Sequence, residues 1–142
     1  MKFTTVTVAA ILVAGVAVAA SKISAKLAAD NTAQDIARAK ATLLDISARM
    51  KDGGSLMIVA SAATRTGEVP RLQQVAREAR ALVVPPCLAQ TKDALVKQSS
   101  NVADYWAQFI SGQILIEAAR GATYPALAFN RDMPAALSSV CA

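Results

Sequence analysis

Between Ala25 and Met50, small or apolar positions recur at alternating steps of four and three: Ala25, Ala29, Thr32, Ile36, Ala39, Leu43, Ile46 and Met50. Such spacing is the seam of a helix laid against another helix. Asp35, Arg38, Lys40, Asp45 and Arg49 fall off the seam, so the pattern predicts an amphipathic helix over 22–52. Asp30, Asn31 and Thr32 carry side chains able to cap a helix beginning there. Gly53-Gly54 predicts a stop with a glycine cap, after which Ser55 can cap the next element. Leu56–Ala63 is an apolar run whose period does not separate helix from strand. No partner strand is legible elsewhere, so a second helix is expected over 55–65.

Thr66-Gly67-Glu68 reads as a break, with Pro70 in the first turn of a third helix over 69–84. Val69, Leu72, Val75, Ala76, Ala79, Leu82 and Val83 mark its inner face, while Arg71, Arg77 and Arg80 lie away from it among Gln73, Gln74 and Glu78. Those arginines read as a solvated exterior that doubles as a candidate contact surface. Pro85-Pro86 makes a helical corner. Leu88, Leu95, Val102, Trp106 and Phe109 then carry the apolar face of a helix over 87–120, terminated at Gly121. Trp106 and Phe109 are placed in the core, and Tyr105, one residue round, on the surface as a further contact candidate. Glu117 is expected to pair with Arg120 three residues on. From Ala122 onward, Tyr124-Pro125, Asn130-Arg131-Asp132 and Met133-Pro134 are turn signals. A short last helix carrying Leu137 and Val140 follows.

Residues 1–20 have a different character: one cation, Lys2, then an uncharged apolar stretch ending in Ala17-Val18-Ala19-Ala20. This is the layout of a cleavable export signal, with cleavage after Ala19 or Ala20 and a single helical domain over 21–142. An uncleaved membrane anchor is the competing reading, because 3–20 is close to spanning length. In an exported chain the two cysteines, Cys87 and Cys141, are most simply one disulfide that pins the C-terminal segment across the bundle. The fold expected is thus all-α, a small antiparallel bundle of about four helices behind an N-terminal signal helix. The corner Val84-Pro85-Pro86-Cys87-Leu88, followed by a helix ending in aromatics, resembles small exported helical proteins of bacteria over about residues 69–110. That resemblance implies helical fold and export and transfers no activity.

Composition narrows function mainly by exclusion. The chain has no His, which removes Ser-His and Cys-His nucleophile pairs and imidazole bases. It has no phosphate-binding glycine loop. Asp93 and Asp104, eleven apart on one side of a helix, are the best carboxylate pair, and any long surface helix produces one. The net charge of +5, or +4 without Lys2, comes from scattered cations mixed with acids, not from the clustered basic face that nucleic acid requires. The expectation is therefore an exported, periplasmic or secreted, non-catalytic protein without a cofactor, acting by protein-protein contact with an envelope or extracellular partner or with itself. Two alternatives stand beside it: an inner-membrane protein tethered by residues 1–20, and a carrier of a small apolar ligand in a cavity near Trp106.

Overall fold

Helices account for nearly all of the chain. The computed structural model describes the backbone of residues 5–141 and the side chains of residues 32–141. It contains α1 (Thr5–Val59), α2 (Ala62–Ala81), a 3-10 turn (Pro86–Leu88), α3 (Ala89–Ile110) and α4 (Ile116–Ser138), with no strand among the described residues. Two compact units divide it, Met1–Asp35 and Ile36–Ala142. The expected export signal over 1–20, the seam positions Ala25 and Ala29 and the caps Asp30 and Asn31 lie outside the described side chains.

In the unit from Ile36 onward the four helical segments form the expected all-α bundle. The α1 seam delivers Leu43, Ile46 and Met50 to a core completed by Leu72 and Ala79 of α2, Leu95, Val102 and Trp106 of α3, and Ala126, Met133 and Leu137 of α4. Cys87 and Cys141 are disulfide-bonded, with Cα atoms 5.6 Å apart. Val140 and Cys141 pack onto the same core, so the staple holds the end of the chain against the Pro85-Pro86 corner.

Helix boundaries differ from expectation at four places, each for a physical reason. Gly53-Gly54 does not stop α1, which runs on to Val59. A Cβ on Gly53 would sit 2.7 Å from Leu72 Cδ2, and one on Gly54 would sit 3.2 Å from Thr123 Cγ2. The glycines are where α1 is crossed closely by α2 and α4, not where it ends. The first break falls instead at Ala60-Ser61, where the Ser61 hydroxyl accepts from the Thr64 N–H at 3.4 Å and caps α2. Leu56–Ala63 is therefore helical on both sides of a break that its apolar character conceals.

Secondly, Thr66-Gly67 and Pro70 lie inside α2. Proline at 70 deprives the Thr66 carbonyl of its helical donor, and Thr66 is exposed, so water can substitute. Thirdly, α3 ends at Ile110 and not at 120. Gly112 takes φ +76°, its N–H bonds the Phe109 carbonyl, and the Gln113 N–H bonds the Gln108 carbonyl at 2.9 Å. This is the paired closure of a Schellman motif, with glycine at its left-handed position.

Fourthly, the tail read as turns is one continuous helix, α4, containing Gly121, Pro125 and Pro134. Pro134 removes the donor to the Asn130 carbonyl, and the Ser47 hydroxyl of α1 lies 3.5 Å from that carbonyl and donates to the Asn130 side-chain oxygen at 2.9 Å. The buried Ser47 and Asn130 thus join α1 to α4. Val83, placed on the inner face of α2 by helical spacing, is 89% exposed, because the chain is already extended at Leu82 and the helical register has lapsed.

Candidate contact surface

Of the four residues proposed from sequence as a contact surface, the fold brings two together. Arg71 and Arg77 of α2 line one side of a surface groove of about 660 Å³ between α1 and α2, and Arg49 of α1 joins them. Its floor is apolar, made by Gly53, Leu56, Leu72 and Val75. The missing Cβ of Gly53 lets α2 approach closely, and the 41% exposed Leu56 stands at the edge of the floor.

Charges along the groove are partly neutralised. Arg49 bonds Asp45 at 2.9 Å and also bonds Glu78 of α2. The Glu78 carboxyl is held below its usual range first by that hydrogen bond and then by one from Gln74; the same bond to Glu78 raises Arg49 above its ordinary value. Arg71 has a 3.5 Å pairing with Glu68 and Arg77 donates to Gln74 at 2.8 Å, both on their own helix. With side-chain exposure of 79%, Arg71 is loosely held.

Arg80 and Tyr105 lie elsewhere. Arg80 donates to Ser100 of α3 at 2.8 Å and joins α2 to α3. Tyr105 lines a smaller groove of about 490 Å³ with Gln98 and Asn101 of its own helix and Gly121 and Pro125 of α4.

Trp106 is fully buried, as expected. Its indole N–H donates to the Thr123 hydroxyl at 2.8 Å, which in turn donates to the Ala119 carbonyl at 2.8 Å. The Phe109 ring meets it edge-on at 5.6 Å, and the Arg65 guanidinium lies 5.6 Å from the indole centroid. Protein atoms thus surround the position where the apolar-carrier reading looked for a cavity, and Trp106 lines neither groove.

Arg65 and Arg120 are the residues whose role the sequence reading missed. Arg65 donates to the carbonyls of Met57 at 2.9 Å and Ile58 at 3.3 Å, and Arg120 donates to Ile58 at 3.2 Å. Two guanidiniums from near the starts of α2 and α4 thereby close the last turn of α1, where unpaired carbonyls and the helix dipole favour cations. Arg120 is consequently not paired with Glu117, which stands exposed in the first turn of α4. Among the described residues no three of Asp, Glu, Cys and His cluster as metal ligands would. Comparison of the chain with protein-family models, with curated proteins and with solved structures finds no match.

Proposed function

We propose that this chain is an exported, disulfide-stapled helical protein that acts by protein-protein contact and not by catalysis, and that the α1–α2 groove receives an apolar segment bearing acidic residues. The groove itself is the observation that carries the reading. An apolar floor supplies desolvation energy, and Arg71 and Arg77, tied only to residues three positions away on their own helix, can turn toward carboxylates at small cost. The Cys87–Cys141 disulfide favours a compartment that permits thiol oxidation. Among the described residues no helix is long and apolar enough to cross a membrane; the tethered alternative rests on residues 1–20, which lie outside the described side chains.

Two measurements test the reading. Intact mass of the protein purified from whole bacterial cells and their medium is expected to match a start at Ala20 or Ser21; a full-length mass in the membrane fraction supports the tethered alternative. Amide-resonance shifts are then followed on adding a synthetic amphipathic helix with a leucine face and flanking glutamates, beside a lysine-flanked version. Shifts at Gly53, Leu56 and Val75 with the acidic peptide alone, lost in Arg71→Glu/Arg77→Glu, are expected. Equal response to both peptides, or none, overturns the groove assignment.

A further inference from the structure

We infer that the Cys87–Cys141 disulfide is a thiol–disulfide exchange site, opened at Cys87 by a dithiol protein that docks on the extended segment 82–85. The site shares no residue with the lining of the α1–α2 groove and stands whether or not the groove binds a partner.

The bond lies within reach of a second molecule. Cys87 is exposed and Cys141 is half-buried, and disulfides that are exposed or strained are the exchangeable ones. Cys141 takes φ +59° and is the one residue other than glycine with a positive φ among the described residues. A Cβ disfavours that region, so opening the bond lets Cys141 relax. Little else fixes the segment. After α4 ends at Ser138, residues 139–141 make no main-chain hydrogen bond to another element among the described residues, and Val140 and Cys141 are held to the core by side-chain packing.

Beside Cys87 the main chain offers a handle. α2 ends at Ala81, and the chain is extended at Leu82 and again at Pro85. Val84 is kept out of the helical region by the proline that follows it. The Leu82 N–H still bonds the Glu78 carbonyl, but Val83 and Val84 give and accept no main-chain hydrogen bond, and Val83 is 89% exposed. An extended residue presents its N–H and C=O on one side and can exchange both with a strand laid alongside. Pro85 and Pro86 have no N–H to offer, so strand pairing centres on Val83, four residues before Cys87. An accessible disulfide and an unpaired extended segment leading into it are what a dithiol protein needs: one to react with, the other to hold.

In the exchange, a thiolate of the partner attacks the Cys87 sulfur. A partner–Cys87 disulfide forms as the Cys87–Cys141 bond breaks, and Cys141 leaves as a thiolate that takes a proton from water. The partner's second thiol, its proton lost to water, then attacks the bridged sulfur of the partner, and Cys87 departs as a thiolate and is protonated. Two electrons pass to this chain: the partner's dithiol becomes a disulfide, and Cys87 and Cys141 become thiols.

The test uses the full oxidised chain with thioredoxin as the probe, both as the reduced dithiol and as a variant whose second cysteine is serine, which retains the mixed disulfide. Peptide mass mapping is expected to find the trapped adduct on Cys87. Reduced thioredoxin is expected to open the bond faster than dithiothreitol at equal thiol concentration. Val83→Pro, which suits an extended φ and removes the N–H, is expected to slow thioredoxin about tenfold, as loss of a main-chain hydrogen bond would, and to leave the dithiothreitol rate unchanged. Val83→Ala keeps the N–H and is expected to match the native chain with both reagents. An adduct on Cys141, or none, overturns the proposal, as does thioredoxin acting no faster than dithiothreitol. Val83→Pro changing both rates alike, or neither, overturns docking on the extended segment and leaves a bond opened by any thiol.

Discussion

Alanine substitution at five of the six glycines is expected to change stability with opposite signs at different positions. In a helix interior, glycine costs about 0.5–1 kcal/mol relative to alanine. A Cβ at Gly67 or Gly121 meets no atom within 4 Å, so Gly67→Ala and Gly121→Ala should each return that amount. Together they should raise the melting temperature by about 4–8 °C.

Gly53 and Gly54 lie in the same kind of helix, but a Cβ there is obstructed. At 53 it meets Leu72 Cδ2 at 2.7 Å, and Leu72, 1% exposed, has no room to swing away. Overpacking of this kind costs about 1–3 kcal/mol, against a propensity gain of about 1, leaving a net loss of up to about 2. At 54 the obstruction is Thr123 Cγ2 at 3.2 Å. Rotating Thr123 would break its bonds from Trp106 and to Ala119, each worth about 1 kcal/mol, so this substitution should also destabilise. Gly112→Ala is expected to lose about 1–2 kcal/mol for a different reason, its φ of +76°.

Thermal denaturation monitored at 222 nm, over the five single variants, is the assay. A gain at 53 and 54 matching that at 67 and 121 would sink the claim of close helix crossings. No gain at Gly67 would mean that α2 begins near Pro70, as its sequence suggests.

Reduction of the disulfide supplies a second expectation: the bond spans a sequence separation of 54, and opening a loop of that size should cost about 4 kcal/mol on the chain-entropy estimate. A Cys87→Ser/Cys141→Ser variant should therefore melt at least 10 °C lower by calorimetry, roughly, with α4 still helical because Met133 and Leu137 stay buried; an unchanged melting point refutes it. A third concerns acid. Because Glu78 is held below its unfolded value by Arg49, its contribution is complete above the ordinary carboxylate range and is lost as pH falls through the folded value. The pair is 41% and 36% exposed, so the effect should stay below about 1 kcal/mol. Asp132 is likewise held low by Arg131. The informative quantity is the difference between wild type and Glu78→Gln in melting temperature from pH 6 to pH 3, expected to narrow with acid; a constant difference refutes the assignment.

The core and the staple were legible because each rests on a signal that survives in one dimension. Seam spacing put Leu43, Ile46 and Met50 inside, and Trp106 and Phe109 together, and the structure agrees. Boundaries were not legible, since the residues used as punctuation have two opposing uses. Glycine ends a helix through positive φ, as at Gly112, or lets a neighbour approach, as at Gly53. Seam phase does not separate them: Ile46, Met50, Met57 continues in phase across the glycine pair, and Leu95, Val102, Phe109, Ile116 continues in phase past Gly112 as well, although the helix stops there. Proline is similarly double. Pro85-Pro86 stands where no helix persists, while Pro134 is tolerated because a serine from another helix lies beside the carbonyl it strips.

The candidate contact surface was half legible for a related reason. Charge off the seam identified Arg71, Arg77 and Arg80 as outward, but outward residues on one helix diverge once neighbours are in place. Arg80 is taken up by Ser100 and Arg77 by the groove, and Arg49 enters from a helix whose charges looked unremarkable. Arg65 and Arg120 are the harder case. Each is a cation near the start of its helix, Arg65 the fourth residue of α2 and Arg120 the fifth of α4, on the side where the dipole of that helix disfavours it. Only the neighbouring end of α1, with its opposite dipole and free carbonyls, makes both positions favourable. A cation near a helix start is thus a usable sequence signal that another helix ends beside it, and here two such cations converge on a single carbonyl, that of Ile58. Removing one should leave the other to bear the last turn of α1 alone, so Arg65→Met and Arg120→Met are expected to lose more together than the sum of their separate losses in denaturant melts. Strict additivity would show that the two arginines serve α1 independently.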